Sequence, residues 1–281
     1  MSWQVVAKKE FSDAARSLVL WIISAVFVLF GVLLVGAYIV FDQEFVTQPD
    51  ADPGTALDAM IFVLSPIALV VPIIGLVVGY KSIVGERESG SLKVLLSLPH
   101  SRWDVMFGKL VGRTLVVVIP LVVALIVMGG LITLFVDPVG ILDYLVLFVL
   151  SILLAGVFVA FAVSISGSTS SSTIAGAAMF GVYLLFLMFW DLINLAFLFF
   201  IEGTMNPGAD PPGWYLFFEM LSPDGAYIFA AQGLLPGVDV SIGMNVPEVW
   251  YLSGWVALLI LVIWFIVPFT LGYYRFREAD L

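Results

Sequence analysis

The chain contains no cysteine and a single histidine, His100. Disulfides and thiolate metal sites are thereby excluded. One imidazole builds neither a histidine metal cluster nor a Ser-His-Asp relay with any redundancy, so no catalytic and no metal-ligating residues are assigned. Charge is also scarce, at 11% of side chains against about 25% in a typical soluble domain. Basic charge is missing altogether from residues 42–58, 137–143 and 202–248. An enzyme working inside a membrane needs paired acid, base or metal groups within its spans, and the only charge inside an apolar stretch is Asp191.

Apolar sequence is what the chain has in quantity: 62% of its residues are hydrophobic. Roughly 20 consecutive apolar residues cross a bilayer as a helix. Leu18–Phe41 and residues 59–80, 114–136 and 249–274 carry no charge. Residues 144–190 are also uncharged and are long enough for two passes, divided by the turn-forming SISGSTSSST at 164–173. The expectation is an all-α integral membrane protein forming a single transmembrane domain over residues 1–281, with six transmembrane helices at about 18–41, 59–80, 114–136, 144–164, 173–198 and 250–274. The first run exceeds the apolar core of a secretory signal, about 7–15 residues, and reads as a retained helix.

Six spans place residues 1–17, 81–113, 164–173 and 275–281 on one side. All 11 basic residues fall there: Lys8, Lys9, Arg16, Lys81, Arg87, Lys93, Arg102, Lys109, Arg113, Arg275 and Arg277. Basic residues mark the cytoplasmic side, so both termini are expected to be cytoplasmic in a multi-pass cell-membrane protein. One span more or fewer would scatter them over both faces. Only seven of the 21 acids share that side. The outer surface is left with acids and no bases, a composition suited to a high-salt (halophile) habitat.

Trp3, Val6, Ala7, Phe11, Ala14 and Leu18 recur at spacings of three or four, with Lys8, Lys9, Asp13 and Arg16 opposite. That pattern predicts an N-terminal interfacial amphipathic helix. The long outer loop, residues 202–248, is too apolar to stand in water. Short interfacial or re-entrant helices are expected at 214–221 and 224–234, before helix 6, with Ser222 as a cap. No internal repeat of the kind common in secondary transporters is visible.

The most informative stretch is GERESGSLKVLLSLPHSRWDVMFGK, residues 85–109. Charges come first, then Leu92, Leu95 and Leu96 form an apolar stripe. Pro99 stops the segment, because the residue before a proline avoids helix. Ser101 and Asp104 then make a capping box for the next helix. A short helix of this kind must lay its stripe on lipid, on the rest of the membrane domain or on another protein. The first residues imitate a phosphate-binding loop, but the Gly-Lys-Ser/Thr that such a loop needs is absent.

The same stretch resembles the signature of ABC-2 type transporter permeases in Glu86-Arg87-Glu88, Gly90, Leu92, Leu95-Leu96-Ser97, Pro99, Ser101-Arg102 and Gly108-Lys109. The order of N-terminal helix, six spans and long outer loop extends the resemblance over most of the chain. LLSLPHSR and LSPDGAY look closest to the branch with the nitrous-oxide reductase maturation permease. The resemblance implies a membrane permease subunit of an ATP-binding cassette transporter, forming the translocation pathway for export, with a cytoplasmic coupling helix between helices 2 and 3. Its partners would be a cytoplasmic ABC ATPase and a second permease copy or paralogue, with no nucleic acid. ATP and Mg would sit on the ATPase, and this chain would hold no cofactor. The residues implied in ATPase coupling are Glu86, Arg87, Glu88, Gly90, Leu92, Leu95, Leu96, Pro99, Ser101 and Arg102. The charged members would set register and the leucines would supply burial. A non-transporting membrane scaffold and a secondary transporter are the rival classes.

Asp191 and Asn194 are candidate pathway residues. If the fifth helix ends near Trp190, Asp191 is instead an outer interfacial anchor. Gly75 and Gly79 permit close helix approach, chiefly within the chain.

Overall fold

A computed structural model describes residues 3–46, 55–97, 101–235 and 246–279. Pro99 and His100 lie outside the described residues, as does the side chain of Leu96. The elements, in chain order, are α1 (Trp3–Arg16), α2 (Leu18–Val46), α3 (Ala56–Gly79), α4 (Val84–Glu88), α5 (Ser91–Ser97), α6 (Arg102–Phe135), α7 (Ile141–Ser168), α8 (Ser172–Leu184), a π turn (Leu185–Phe189), α9 (Trp190–Glu202), α10 (Gly213–Met220), α11 (Pro223–Leu234), a 3₁₀ turn (Trp250–Leu252) and α12 (Gly254–Glu278). No strand occurs among the described residues. Among the described residues, six helical stretches are long and apolar enough to cross a membrane: Leu18–Phe41, Pro66–Glu88, Arg102–Phe135, Ile141–Ser168, Ser172–Glu202 and Gly254–Glu278. The protein is an all-α integral membrane protein.

Local signals start and stop these helices. Thr55 opens α3 and Ser101 opens α6, each through a reciprocal capping box, with Asp58 and Asp104 as the partner acids. Ser17 marks the corner between α1 and α2, donating to Ala14 O and accepting from Val19 N. Gly203, at φ 73°, ends α9 in the left-handed conformation that glycine adopts without strain.

The helices pack around α7. In the apolar part of α7 67% of residues are buried, and in the second span 61%, against 22% in the first span and 17% in the fifth. α7 therefore forms the centre of the bundle, while α2 and the α8–α9 helix present most of their surface outward. Close approach comes from small residues. A Cβ on Gly79 would meet Ala162 at 2.5 Å, and one on Gly75 would meet Phe158 at 3.1 Å, so this pair seats α3 on α7 within the chain. A Cβ on Gly272 would lie 2.5 Å from Ser164, and the backbones of Gly233 and Gly254 touch, fixing α12 against α7 and α11.

Two ends can be distinguished. One end, which holds the start of α1 and the end of α12, gathers the lysines and arginines and forms the basic end; the opposite end carries none. α10 and α11 form the helical pair expected before the last span. Ser222 opens α11 by accepting from Gly225 N at 3.0 Å. The pair is held by indole donors, Trp190 Nε1 to Phe218 O and Trp264 Nε1 to Leu221 O. Tyr227 is fully buried with its hydroxyl 3.0 Å from Ser151 Oγ.

Candidate functional site

At the basic end, α1 lies in a shallow trough on α6. Gly108 and Gly112 make the trough: a Cβ on the first would meet Val6 Cβ at 2.6 Å, and one on the second would meet Glu10 Cβ at 2.7 Å. The buried face of α1 is Val6, Ala7, Glu10 and Ala14. Trp3 N donates to Asp104 Oδ1 at 3.1 Å, fastening the start of α1 to the start of α6.

An acid on a buried helix face demands a cation. Lys109, wholly buried on α6, answers it, with Nζ 2.6 Å from Glu10 Oε1 and 2.8 Å from Glu86 Oε1 on α4. Arg113, one turn further along α6, holds the other oxygen of Glu10 at 2.7 Å. Lys9 adds a longer contact to Glu86 at 3.7 Å. Burial raises the cost of ionising Glu10, but the charges of Lys109 and Arg113 outweigh it and hold the carboxyl below its ordinary range. The stabilisation from Glu10 is therefore present above its unfolded pKa of about 4.5 and is lost as pH falls through the lower folded value.

The other motif residues extend the same junction. Arg87 Nη1 reaches Thr169 O at 3.4 Å, and Glu88 Oε1 accepts from Ser172 N at 2.6 Å, so α4 grips the α7–α8 turn from both sides. Ser166 Oγ accepts from the backbone N–H groups of Ile83 and Val84 at the start of α4. Gly90 joins α4 to α5 at φ 76°, which an L side chain would strain. Arg102 Nη1 accounts for three otherwise open carbonyls at the end of α12, Phe276, Arg277 and Ala279, each at 2.8 Å. Leu92 is buried within the chain and Leu95 is half-buried against its core.

The structure thus gives the charged motif residues partners inside this chain, and Leu92 a seat inside it. The outward surface of α4 and α5 carries Glu88, Ser89, Ser91, Lys93 and Ser97, and Ser101 is exposed next to it. Lys109 and Glu10 were not singled out as a pair in the sequence, although an acid between Ala7 and Ala14 on a helical stripe was a usable signal.

Asp191 and Asn194 sit at the opposite end. The fifth helix does not stop at Trp190 but continues to Glu202 beyond the π turn. Asp191 is exposed, whereas Asn194 is buried and its Nδ2 donates to Tyr215 O at 3.2 Å. Two further acids belong to this region, Glu219 on α10 and Asp224 on α11. Burial, and then the charges of Asp191 and Asp224, push the Glu219 carboxyl up to about 7. Burial raises Asp224 to about 6, opposed by hydrogen bonds from its own backbone and Ser222, with Asp191 adding to the rise. Among the described residues, no group of three His, Cys, Asp or Glu is placed to hold a metal ion.

The junction thus ties the N-terminal helix, the short helix between two spans and the last span into one block. The family model described as ABC-2 family transporter protein matches residues 4–281. The chain belongs to the ABC-2 transporter family. It is 32% identical over 285 residues to the probable ABC transporter permease protein NosY of Stutzerimonas stutzeri, covering 97% of each chain. It is 27% identical over 290 residues to the protein of the same description from Pseudomonas aeruginosa, covering 98% of each. This ABC-2 protein is a membrane permease subunit of an ABC transporter, and the family implies a partner ATPase.

Proposed function

We propose that the basic end of this permease faces the cytoplasm and that α4 and α5 dock there on a separate ATPase subunit. That subunit binds the ATP and Mg and hydrolyses the nucleotide, and the chain itself carries out no chemistry. The observation that carries this reading is the buried Lys109–Glu10–Glu86 network, because force applied to α4 passes through it into α6 and α1 as one body. Leu95, Gly90, Ser101 and the exposed Glu88, Lys93 and Ser97 form the contact, while Glu86, Arg87 and Arg102 hold it rigid from behind. Leu96 and Pro99 belong to the same segment.

Transport runs outward, and two permease copies enclose the path. The exposed row Thr173, Ala177 and Gly181 on α8 supports close approach of a second copy. Asp191 then stands beside the outer exit. The likeness to the NosY permeases and to the nitrous-oxide reductase maturation branch supports a cargo used in assembling that enzyme. The acid-only outer loops support a high-salt habitat, since carboxylates keep such a surface hydrated.

The test is hydrolysis by a candidate ABC ATPase subunit from the same organism, reconstituted in vesicles with and without the permease. Stimulation that vanishes with the Leu95→Asp variant supports the reading. Equal rates with wild type, with Leu95→Asp and without permease would overturn it.

A further inference from the structure

Between α2 and α3, at the basic end, lies a groove of about 480 Å³. Its walls include Ile22, Ile73 and Val77, and its rim is formed by Tyr80, Lys81 and Arg113. No acidic side chain lines it among the described residues. The walls are open to the surroundings, with Ile22 59% and Val77 54% exposed.

We propose that this groove binds an anionic phospholipid from the leaflet on the side of the termini, one acyl chain between α2 and α3 and the phosphate between Lys81 and Arg113. From Ile73 to Lys81 the end of α3 and the turn after it advance by eight residue steps, roughly 12 Å at the helical rise, close to the depth of one leaflet's hydrocarbon, about 15 Å. An apolar floor of that depth ending in cations at the water boundary matches a lipid with a negative headgroup. Arg113 is shared between two tasks. Its Nη2 pairs with Glu10, its Nη1 leans on Val78 O, and its Nε is buried without a partner. Lys81 Nζ lies 5.4 Å from the centroid of the Tyr80 ring, at the exposed rim.

A second copy of the chain is the competing occupant, and charge argues against it. At this end 11 bases stand against seven acids, so a copy seated in the groove would bring a net positive surface onto Lys81 and Arg113. The lipid neutralises them instead. Because Arg113 also holds Glu10, the bound phosphate contacts the same guanidinium that fastens α1.

The experiment is native mass spectrometry of the purified permease in an uncharged detergent, incubated with dioleoyl-phosphatidylglycerol or dioleoyl-phosphatidylcholine. It does not depend on the orientation or the ATPase partner, so its failure is separate from failure of the functional reading. Wild type should retain one phosphatidylglycerol per chain, at least fivefold over phosphatidylcholine. Lys81→Gln should cut that preference about fivefold. Val77→Trp, which fills the groove from an exposed position, should abolish retention of both lipids. Unchanged melting temperatures in both variants show that the fold persists. Equal retention of the two lipids by wild type, or undiminished phosphatidylglycerol on Val77→Trp, overturns the proposal. A wild-type dimer without lipid that Val77→Trp converts to monomer overturns it in favour of the second copy.

Discussion

Lys109→Met tests the buried network directly. The ammonium of Lys109 stands between two carboxylates, 2.6 Å from Glu10 and 2.8 Å from Glu86, and is itself inaccessible to solvent. Methionine keeps the stem's volume and removes the charge, leaving Glu10 and Glu86 facing each other. Breaking a buried pair from one side costs about 3–5 kcal/mol. Arg113 retains its 2.7 Å contact with Glu10, which puts the loss at the lower end of that range. At about 2–4 °C per kcal/mol for a chain of this size class, the melting temperature in detergent should fall by roughly 10 °C. Lys93→Met, at an exposed position on α5, should stay within about 2 °C of wild type. Adding Glu86→Gln to Lys109→Met removes one of the two stranded charges and should restore about 1–3 kcal/mol. Differential scanning fluorimetry of the four proteins reads all of this. If Lys109→Met melts with Lys93→Met, the network does not fasten α1 and α4 to α6, and the rigid-mount argument fails.

Further expectations follow from other parts of the molecule. Glu219 has its folded pKa raised from 4.5 to about 7, so the stability it permits is complete below about 4.5 and declines as pH rises through about 7. Glu219→Gln should lessen the fall of the melting temperature between pH 5 and 8, recovering roughly 3 kcal/mol at the alkaline end and leaving the decline that Asp224 contributes up to about pH 6; a wild-type profile that is already flat refutes the shift. Arg102→Met removes the donor to three carbonyls at the end of α12, and limited trypsin digestion should then release the C-terminal Arg275 and Arg277 segment faster than in wild type. The cysteine-free sequence allows clean topology mapping: on intact cells, an impermeant thiol reagent should label Thr204→Cys and spare Ser97→Cys. Labelling of Ser97→Cys alone reverses the orientation.

How much of this was legible beforehand depends on sequence distance. The spans, the Ser101 cap and the Ser222 cap are local properties of hydrophobicity and turn chemistry, read over a few residues. The α10–α11 pair was visible because WYLFFEMLSPDGAY is too apolar for water. The roles of Glu86, Arg87 and Arg102 were not. Their partners lie beyond the reach of local pattern: Glu86 meets Lys109 in the next span, Arg87 meets Thr169 across 82 positions and Arg102 meets Phe276 across 174. Periodicity assigns a residue to a face, and only the packed bundle says which other face it meets. The signal for Glu10 was nevertheless present, an acid in register with Ala7 and Ala14, opposite the Gly108 and Gly112 trough. Asp191 was read from its charge alone, while Glu219 and Asp224, which join it in three dimensions, were hidden inside a segment judged only for its hydrophobicity.

The central claim is that α4 and α5 mount a separate ATPase on this permease. The most direct measurement is affinity capture of a candidate ABC ATPase subunit from the same organism by the detergent-solubilised permease, comparing wild type with a Lys93→Glu, Leu95→Asp double variant. Lys93 is exposed on α5 while Leu95 is half-buried against the core, and both lie off the Lys109 network; the Lys93→Glu single variant, expected to keep the wild-type melting temperature and to weaken capture, controls for lost packing at Leu95. Capture by wild type and its loss in the variant is the predicted result. Equal capture by both would place the docking surface elsewhere and contradict the account.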